Sequence, residues 1–371
     1  MKPYYERAYE IHKSGSYSKL DIAKQLVKEF SLNENVDSVR KNIQNFLSRH
    51  LALEEECQRI GVPVPNVKHY WYKGKHFSIN VSNSLKKSWE DVRDDIIAQM
   101  SEYAPSYPKL IRNDDSEDGY LLVVDPADVH IGKLASAFET GDEYNNSIAI
   151  SRVLEGVSGI LNKSKGFNIQ QILFIGGNDI LHIDTPKRMT TSGTPQDTDG
   201  MWYDNFLIAK DLYVKILEML VKVAPVHFVF NPSNHDYTNG FFLADVIKTW
   251  FRNCSDITFD CSIAHRKYYR WYNNLIGTTH GDGAKQADLP LLMAQEDPQS
   301  WAISRHRYIY THHVHHKVAK DYIGVTVESL RSPSGADSWH SRNGYQHSPK
   351  AIEGFIHCKK NGQIARITHL F

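Results

Sequence analysis

From Tyr120 onward the chain is organised by short apolar runs that end in Asp, Asn or His: Leu121-Leu-Val-Val, Ile172-Leu-Phe-Ile, Val226-His-Phe-Val-Phe and Tyr308-Ile-Tyr. Continuous apolar runs of this length, bounded by polar residues, are the pattern of strands buried on both faces. Helical stretches intervene, for instance Asn205 to Val223. The expected arrangement is therefore a layered α and β domain. In such domains ligands gather where strands end, so the polar clusters at those ends are where chemistry is expected.

Five clusters follow in order. The first strand runs into Asp128-Val-His-Ile-Gly, which offers a carboxylate and an imidazole on one side of an extended chain. The second runs into Gly176-Gly-Asn-Asp-Ile-Leu-His, containing Asp179 and His182, and the third into Asn231-Pro-Ser-Asn-His-Asp, containing Asn234, His235 and Asp236. His280 follows in Thr278-Thr-His-Gly-Asp, and His313 and His315 alternate in Thr311-His-His-Val-His-His. Each cluster alone has a structural explanation, such as a turn residue. Five in this order, each at a strand end, point to a metal site, and a mixture of Asp, Asn and His suits borderline ions such as manganese, iron or zinc.

This order of motifs resembles the calcineurin-like metallophosphoesterase family over Leu121 to Phe371. The resemblance implies a four-layer αββα sandwich holding two divalent ions, with Mn2+ favoured and Fe2+ or Zn2+ as alternatives. It assigns Asp128, His130, Asp179 and His315 to one ion, and Asp179, Asn234, His280 and His313 to the other, with Asp179 as the bridge. It makes His235, His182 and Asp236 the catalytic candidates, His235 facing the substrate and Asp236 orienting the same turn. Asp179-Ile-Leu-His is similar to the Gly-Asp-x-x-His form of the double-strand-break-repair nuclease branch, and Gly177-Asn-Asp to phage-encoded proteins described as DNA repair exonucleases. The departures are at glycines: Asn178, Ser233 and His312 stand where the family has Gly, a residue that permits tight or positive-φ backbone.

Ahead of this region, residues 1–60 carry apolar positions at helical spacing, Ile22, Ala23, Leu26, Val27 and Phe30, then Val36, Val39, Ile43, Phe46 and Leu47, with Asp21 at a capping position. Two or three helices are expected, read either as a helix-turn-helix or as a small bundle whose polar face is simply solvated. Residues 61–118 read as a linker at Gly61-Val-Pro-Val-Pro, a basic and aromatic hairpin from Lys68, a connecting helix from Ser84 to Ser101 and a polar loop. Residues 119–371 form the expected catalytic domain. Within it Lys187, Arg188, Trp202 and Tyr203 belong to a stretch read either as contacting substrate or as an inert surface loop, and Arg331, at the head of a segment that includes His340, is the further candidate for contacting substrate.

Lys plus Arg equals Asp plus Glu at 43 each, so no bulk positive field draws the chain to polyanions and any such binding is local. No stretch approaches the roughly 18 consecutive apolar residues of a membrane span, and the N-terminus lacks the apolar core of a signal peptide. The expectation is a cytoplasmic protein without membrane contact. Four cysteines without a Cys-x-x-Cys pair argue against a disulfide framework or a thiolate zinc site. The expected function is a two-metal phosphodiesterase acting on DNA, as endo- or exonuclease, by metal-activated water attack, with a homo-oligomer compatible. The alternatives are a small-molecule or cyclic-nucleotide phosphodiesterase or phosphatase, and a DNA-binding protein with a silent phosphoesterase core.

Overall fold

The computed structural model describes residues 2–15, 17–60, 69–73, 78–82, 107–108, 110, 118–344 and 347–371. The chain divides into two compact units, Met1–Gln99 and Met100–Phe371. In the first, α1 (Tyr5–Ser14), α2 (Lys19–Glu29) and α3 (Val36–Ile60) enclose a core of Tyr4, Ala8, Ile11, Ile22, Ala23, Leu26, Val39, Ile43 and Leu47. These are the positions that recur at helical spacing, and each helix contributes one apolar stripe. The start of α2 corrects the sequence reading. Ser18, not Asp21, is the capping residue; its Oγ accepts from the Asp21 backbone N–H at 3.2 Å, and Asp21 returns to it as the third helical residue. Strands β1 (His69–Lys73) and β2 (Ser78–Ser82) pair as an antiparallel hairpin. The linker from Gly61 and the connecting helix from Ser84 to Ser101 lie outside the described residues.

The second unit is built on two mixed sheets. The larger contains β3 (Tyr120–Asp125), β4 (Ile169–Gly177), β5 (Val226–Asn231) and β6 (Ile257–Asp260) in parallel, with β12 (Ala351–Cys358) antiparallel to β3 and β13 (Gly362–Leu370) on the edge. The smaller has the order β10 (Val318–Tyr322), β11 (Val325–Ser329), β9 (His306–Thr311), β8 (Asn274–Thr279), β7 (Arg266–Trp271), with β8, β9 and β11 parallel. The helices are α4 (Ala137–Thr140), α5 (Asn146–Lys163), α6 (Trp202–Val221), α7 (Tyr237–Trp250), α8 (Leu289–Glu296), α9 (Pro298–Ile303) and α10 (Ser338–Arg342).

Side-chain alternation along β3 shows why this is a four-layer sandwich. Leu122 and Val124 point into a core shared with α5, α6 and α7, whereas Leu121 and Val123 point into a second core shared with Trp271, Ile276 and Tyr310 of the smaller sheet. The other face of the smaller sheet packs Leu275, Ile309, Val325 and Val327 on Leu289 and Met293 of α8. A strand buried on both faces has no polar face to show, which explains the uninterrupted apolar runs in the sequence. Among the described residues, no helix is long and apolar enough to cross a membrane.

Candidate metal centre

The parallel strands β3, β4 and β5 end on one edge of the larger sheet, and β8 and β9 end on one edge of the smaller. The turns just beyond these ends carry Asp128 and His130, Asp179, Asn234, His280, and His313 with His315. Nine non-glycine residues among those described have positive φ, and six are here: Asp128 (51°), His130 (53°), Asn178 (53°), Asp179 (58°), His313 (69°) and His315 (56°). Left-handed backbone costs a non-glycine residue about 1–3 kcal/mol, so its concentration in these turns marks where the fold spends stability on side-chain placement.

Cross-bracing holds the turns in this form. The backbone N–H groups of Asp128, His130 and Ile131 donate to the carbonyls of Asn178, Asp179 and Ile180 at 2.9, 2.9 and 2.8 Å, and that of His182 donates to Ile131 at 2.9 Å. The glycine departures are part of this frame. Asn178 takes the left-handed backbone that Asn tolerates best among non-glycine residues. Ser233 Oγ accepts from the Asp179 N–H at 2.7 Å and donates to Asp236 Oδ1 at 2.6 Å. His312 is fully buried, donating from Nδ1 to the Thr279 carbonyl at 3.0 Å and from Nε2 to the Asp125 carboxylate at 3.0 Å.

Two sets of ligand-type atoms result. In Asp128, His130 and His315 they lie within 4.8 Å of one another, and likewise in Asp179, His280 and His313. In the first set His130 Nε2 is 3.3 Å from His315 Nε2, which is 3.6 Å from Asp128 Oδ1. In the second His280 Nε2 is 3.3 Å from Asp179 Oδ2 and 2.9 Å from Asn234 Oδ1. Asp179 Oδ2 is also 3.9 Å from His130 Nε2, so one carboxylate oxygen stands between the two sets.

Burial pushes the Asp128 carboxyl up to about 6, and burial holds His130 and His315 well below the ordinary imidazole range. Burial alone would raise Asp179, but His280 and His235 outweigh it and hold it low; burial alone would lower His280, but Asp179 and Asp128 raise it to about 9. Asp128 Oδ2, His280 Nδ1 and both amide atoms of Asn178 are buried without a hydrogen-bond partner. Orphaned buried polar atoms are costly; His130 and His315 are imidazoles of low basicity in the neutral form that binds metal, and a divalent ion would replace the proton that the carboxylates draw to His280. The residues fit divalent metal ions.

Beside these sets stand His182 and His235. His182 Nδ1 is 3.2 Å from His130 Nδ1, and the two form a third three-residue group with His235. His235 donates from Nδ1 to the His182 carbonyl at 2.9 Å, and its backbone N–H donates to Asp179 Oδ1 at 3.0 Å. Asp236 is the residue expected to orient the same turn as His235. It is fully buried, and its oxygens accept from Ser233 Oγ and from the Leu181 N–H at 2.9 Å. It braces the turn from behind, while the His235 ring is held by the His182 carbonyl.

The substrate-contact candidates divide. Lys187, Arg188, Trp202 and Tyr203 are exposed, with Arg188 Nη2 3.8 Å from Met201 Sδ and the Trp202 and Tyr203 rings edge to face at 5.7 Å. Arg331 is partly buried, and its Nη1 donates to the buried Glu353 carboxylate at 2.8 Å.

No family model and no curated protein matches the chain. Solved structures do. An archaeal phosphodiesterase is 9% identical, covering 68% of this chain and 99% of its own, with a TM-score of 0.33. Vps29 from Entamoeba histolytica, solved with Zn2+, is 12% identical, covering 68% of this chain and 98% of its own, at 0.28. A predicted phosphoesterase from Streptococcus pneumoniae is 12% identical, covering 68% and 97%, at 0.26. At such scores none assigns a chemistry to this chain, which has to be argued from its side chains.

Sequence reasoning missed Lys133 and Asp337. Lys133 is 1% exposed, and its Nζ lies 2.9 Å from Asp337 Oδ2. Lys133 directly follows Asp128-Val-His-Ile-Gly, but an isolated Lys carries no local signal that it will be buried.

Asp179→Ala tests the shared carboxylate. Elemental analysis of the purified variant should show both ions depleted. Full occupancy at either position would remove Asp179 from that set.

Proposed function

We propose that this protein is a two-metal phosphodiesterase that cleaves DNA. The observation that carries the reading is the pair of ligand sets sharing Asp179 Oδ2, with His182 and His235 on their flank. Divalent ions bound there would lower the pKa of water and neutralise phosphoryl oxygens during in-line attack.

The chain's own groups do the rest. Because Nδ1–H of His235 donates to a carbonyl, Nε2 is the nitrogen free to face the leaving oxygen, and it hands over a proton as the imidazolium, returning to the neutral Nδ1–H ring. His130, entering the first set through Nε2, keeps its proton on Nδ1 and donates it toward His182 Nδ1, so His182 holds its proton on Nε2 as a donor for the substrate. Arg188 supplies charge for a neighbouring phosphate, and Trp202 and Tyr203 supply ring faces for bases. In the first unit, Ser38, Lys41, Gln44, Asn45 and Arg49 of α3 are the exposed polar residues suited to a duplex, whereas Arg40 is tied to Asp37.

The test is full-length protein with Mn2+ on end-labelled single- and double-stranded DNA and on bis(4-nitrophenyl) phosphate. Cleavage of DNA that stops with chelator is the expected result. Hydrolysis of the small ester alone would replace DNA with a small substrate, and hydrolysis of neither would make the core silent.

A further inference from the structure

The segment joining β11 to β12 passes beside the first ligand set and carries two side chains with no part in the assignments above. Asp337 is the pivot. Its Oδ2 meets Lys133 Nζ at 2.9 Å, and its Oδ1 accepts from both the ring Nδ1 and the backbone N–H of His340, at 2.7 and 2.9 Å. The His340 ring lies flat on that of His315, with centroids 5.0 Å apart and an interplanar angle of 17°.

Each link has a physical consequence. A Lys buried to this degree needs a paired acid, and Asp337 is the acid it meets. A carboxylate gripped from one side by Lys133 has its other oxygen fixed in direction, and that oxygen sets the plane of the His340 ring. The His340 ring in turn limits rotation of His315, whose Nε2 faces His130 and Asp128. This matters because a metal-binding histidine usually has its outer nitrogen held by a carboxylate or carbonyl. Among the described residues no hydrogen bond to the outer nitrogen of His315 is found, so the stacked ring is what orients it. The segment is itself anchored, since Ser332 Oγ donates to the Asp128 carbonyl at 2.7 Å and Ser338 Oγ to Glu139 of α4 at 2.6 Å.

We propose that Lys133, Asp337 and His340 form a positioning chain for His315 and thereby set the affinity of the first ion but not of the second. The proposal rests on the metal-centre reading above.

The test is calorimetric titration of chelator-stripped full-length protein with Mn2+, with the visible spectrum of the Co2+-loaded form and thermal melting in chelator alongside. Wild type should show two binding events. His340→Ala, which leaves the Lys133–Asp337 pair intact, should weaken one event by about 10- to 100-fold and shift the Co2+ spectrum, with the other event unchanged. Asp337→Asn should weaken the same event, and the double variant should be no worse than His340→Ala alone, because Asp337 acts through His340. Both events unchanged in His340→Ala, or both weakened equally, would reduce the chain to a structural brace and overturn the proposal. Absence of any Mn2+ event in wild type would overturn the metal-centre reading and the proposal with it.

Discussion

His235→Ala is expected to keep both ions and still bind DNA, yet to lose about 10² to 10⁴-fold in turnover, the usual worth of a positioned proton donor. The side chain belongs to neither of the two ligand sets that share Asp179, and Asn234 already meets His280 Nε2. Its Nδ1–H donates to the His182 carbonyl, so truncation removes Nε2, the nitrogen through which the imidazolium would deliver its second proton, without removing a ligand. The measurement is single-turnover cleavage with metal content determined on the same sample. Depletion of metal in this variant would make His235 a ligand, and unchanged turnover would remove it from the chemistry.

His312→Ala should destabilise the catalytic unit by about 3–5 kcal/mol, the cost of leaving one member of a buried ion pair alone. Asp125 is buried at 1% exposure, receives both its charge partner and its hydrogen bonds from His312 Nε2, and pairs across strands with another buried acid, Glu353. The substitution also strips the Thr279 carbonyl of its donor. In a domain of this size the loss corresponds to a melting temperature lower by about 10 °C. Adding Asp125→Ala should recover part of it, because the uncompensated charge is then gone; strict additivity of the two substitutions would show that the pair is not coupled. A glycine, usual at this position in the resembling family, is thus expected to be harmful in this chain.

The residues also show what kind of information the sequence holds. The apolar runs from Leu121, Ile172 and Val226 are strands because neither face meets water, and the polar residues after them gather because parallel strands end on one edge. Both properties are local, one a matter of composition along a few residues and the other of strand direction, so a linear reading reaches them. Spacing likewise places Asp128 with His130 and His313 with His315, although not the left-handed backbone at all four.

Partnership across the fold is a different matter. That Ser233 bridges Asp179 to Asp236, that His312 neutralises Asp125, that Arg331 donates to Glu353 and that Lys133 is buried against Asp337 depends on which turns are brought side by side. A charged residue has the same local sequence signal whether it is solvated or buried. Only the three-dimensional arrangement decides whether a counter-charge lies within about 3 Å in a low-dielectric interior, where a missing partner costs several kcal/mol. The sequence by itself therefore determined the layers, the strand ends and the ligand-type residues they carry, whereas tertiary structure decided which of the remaining polar groups brace that site and which are left to meet a substrate.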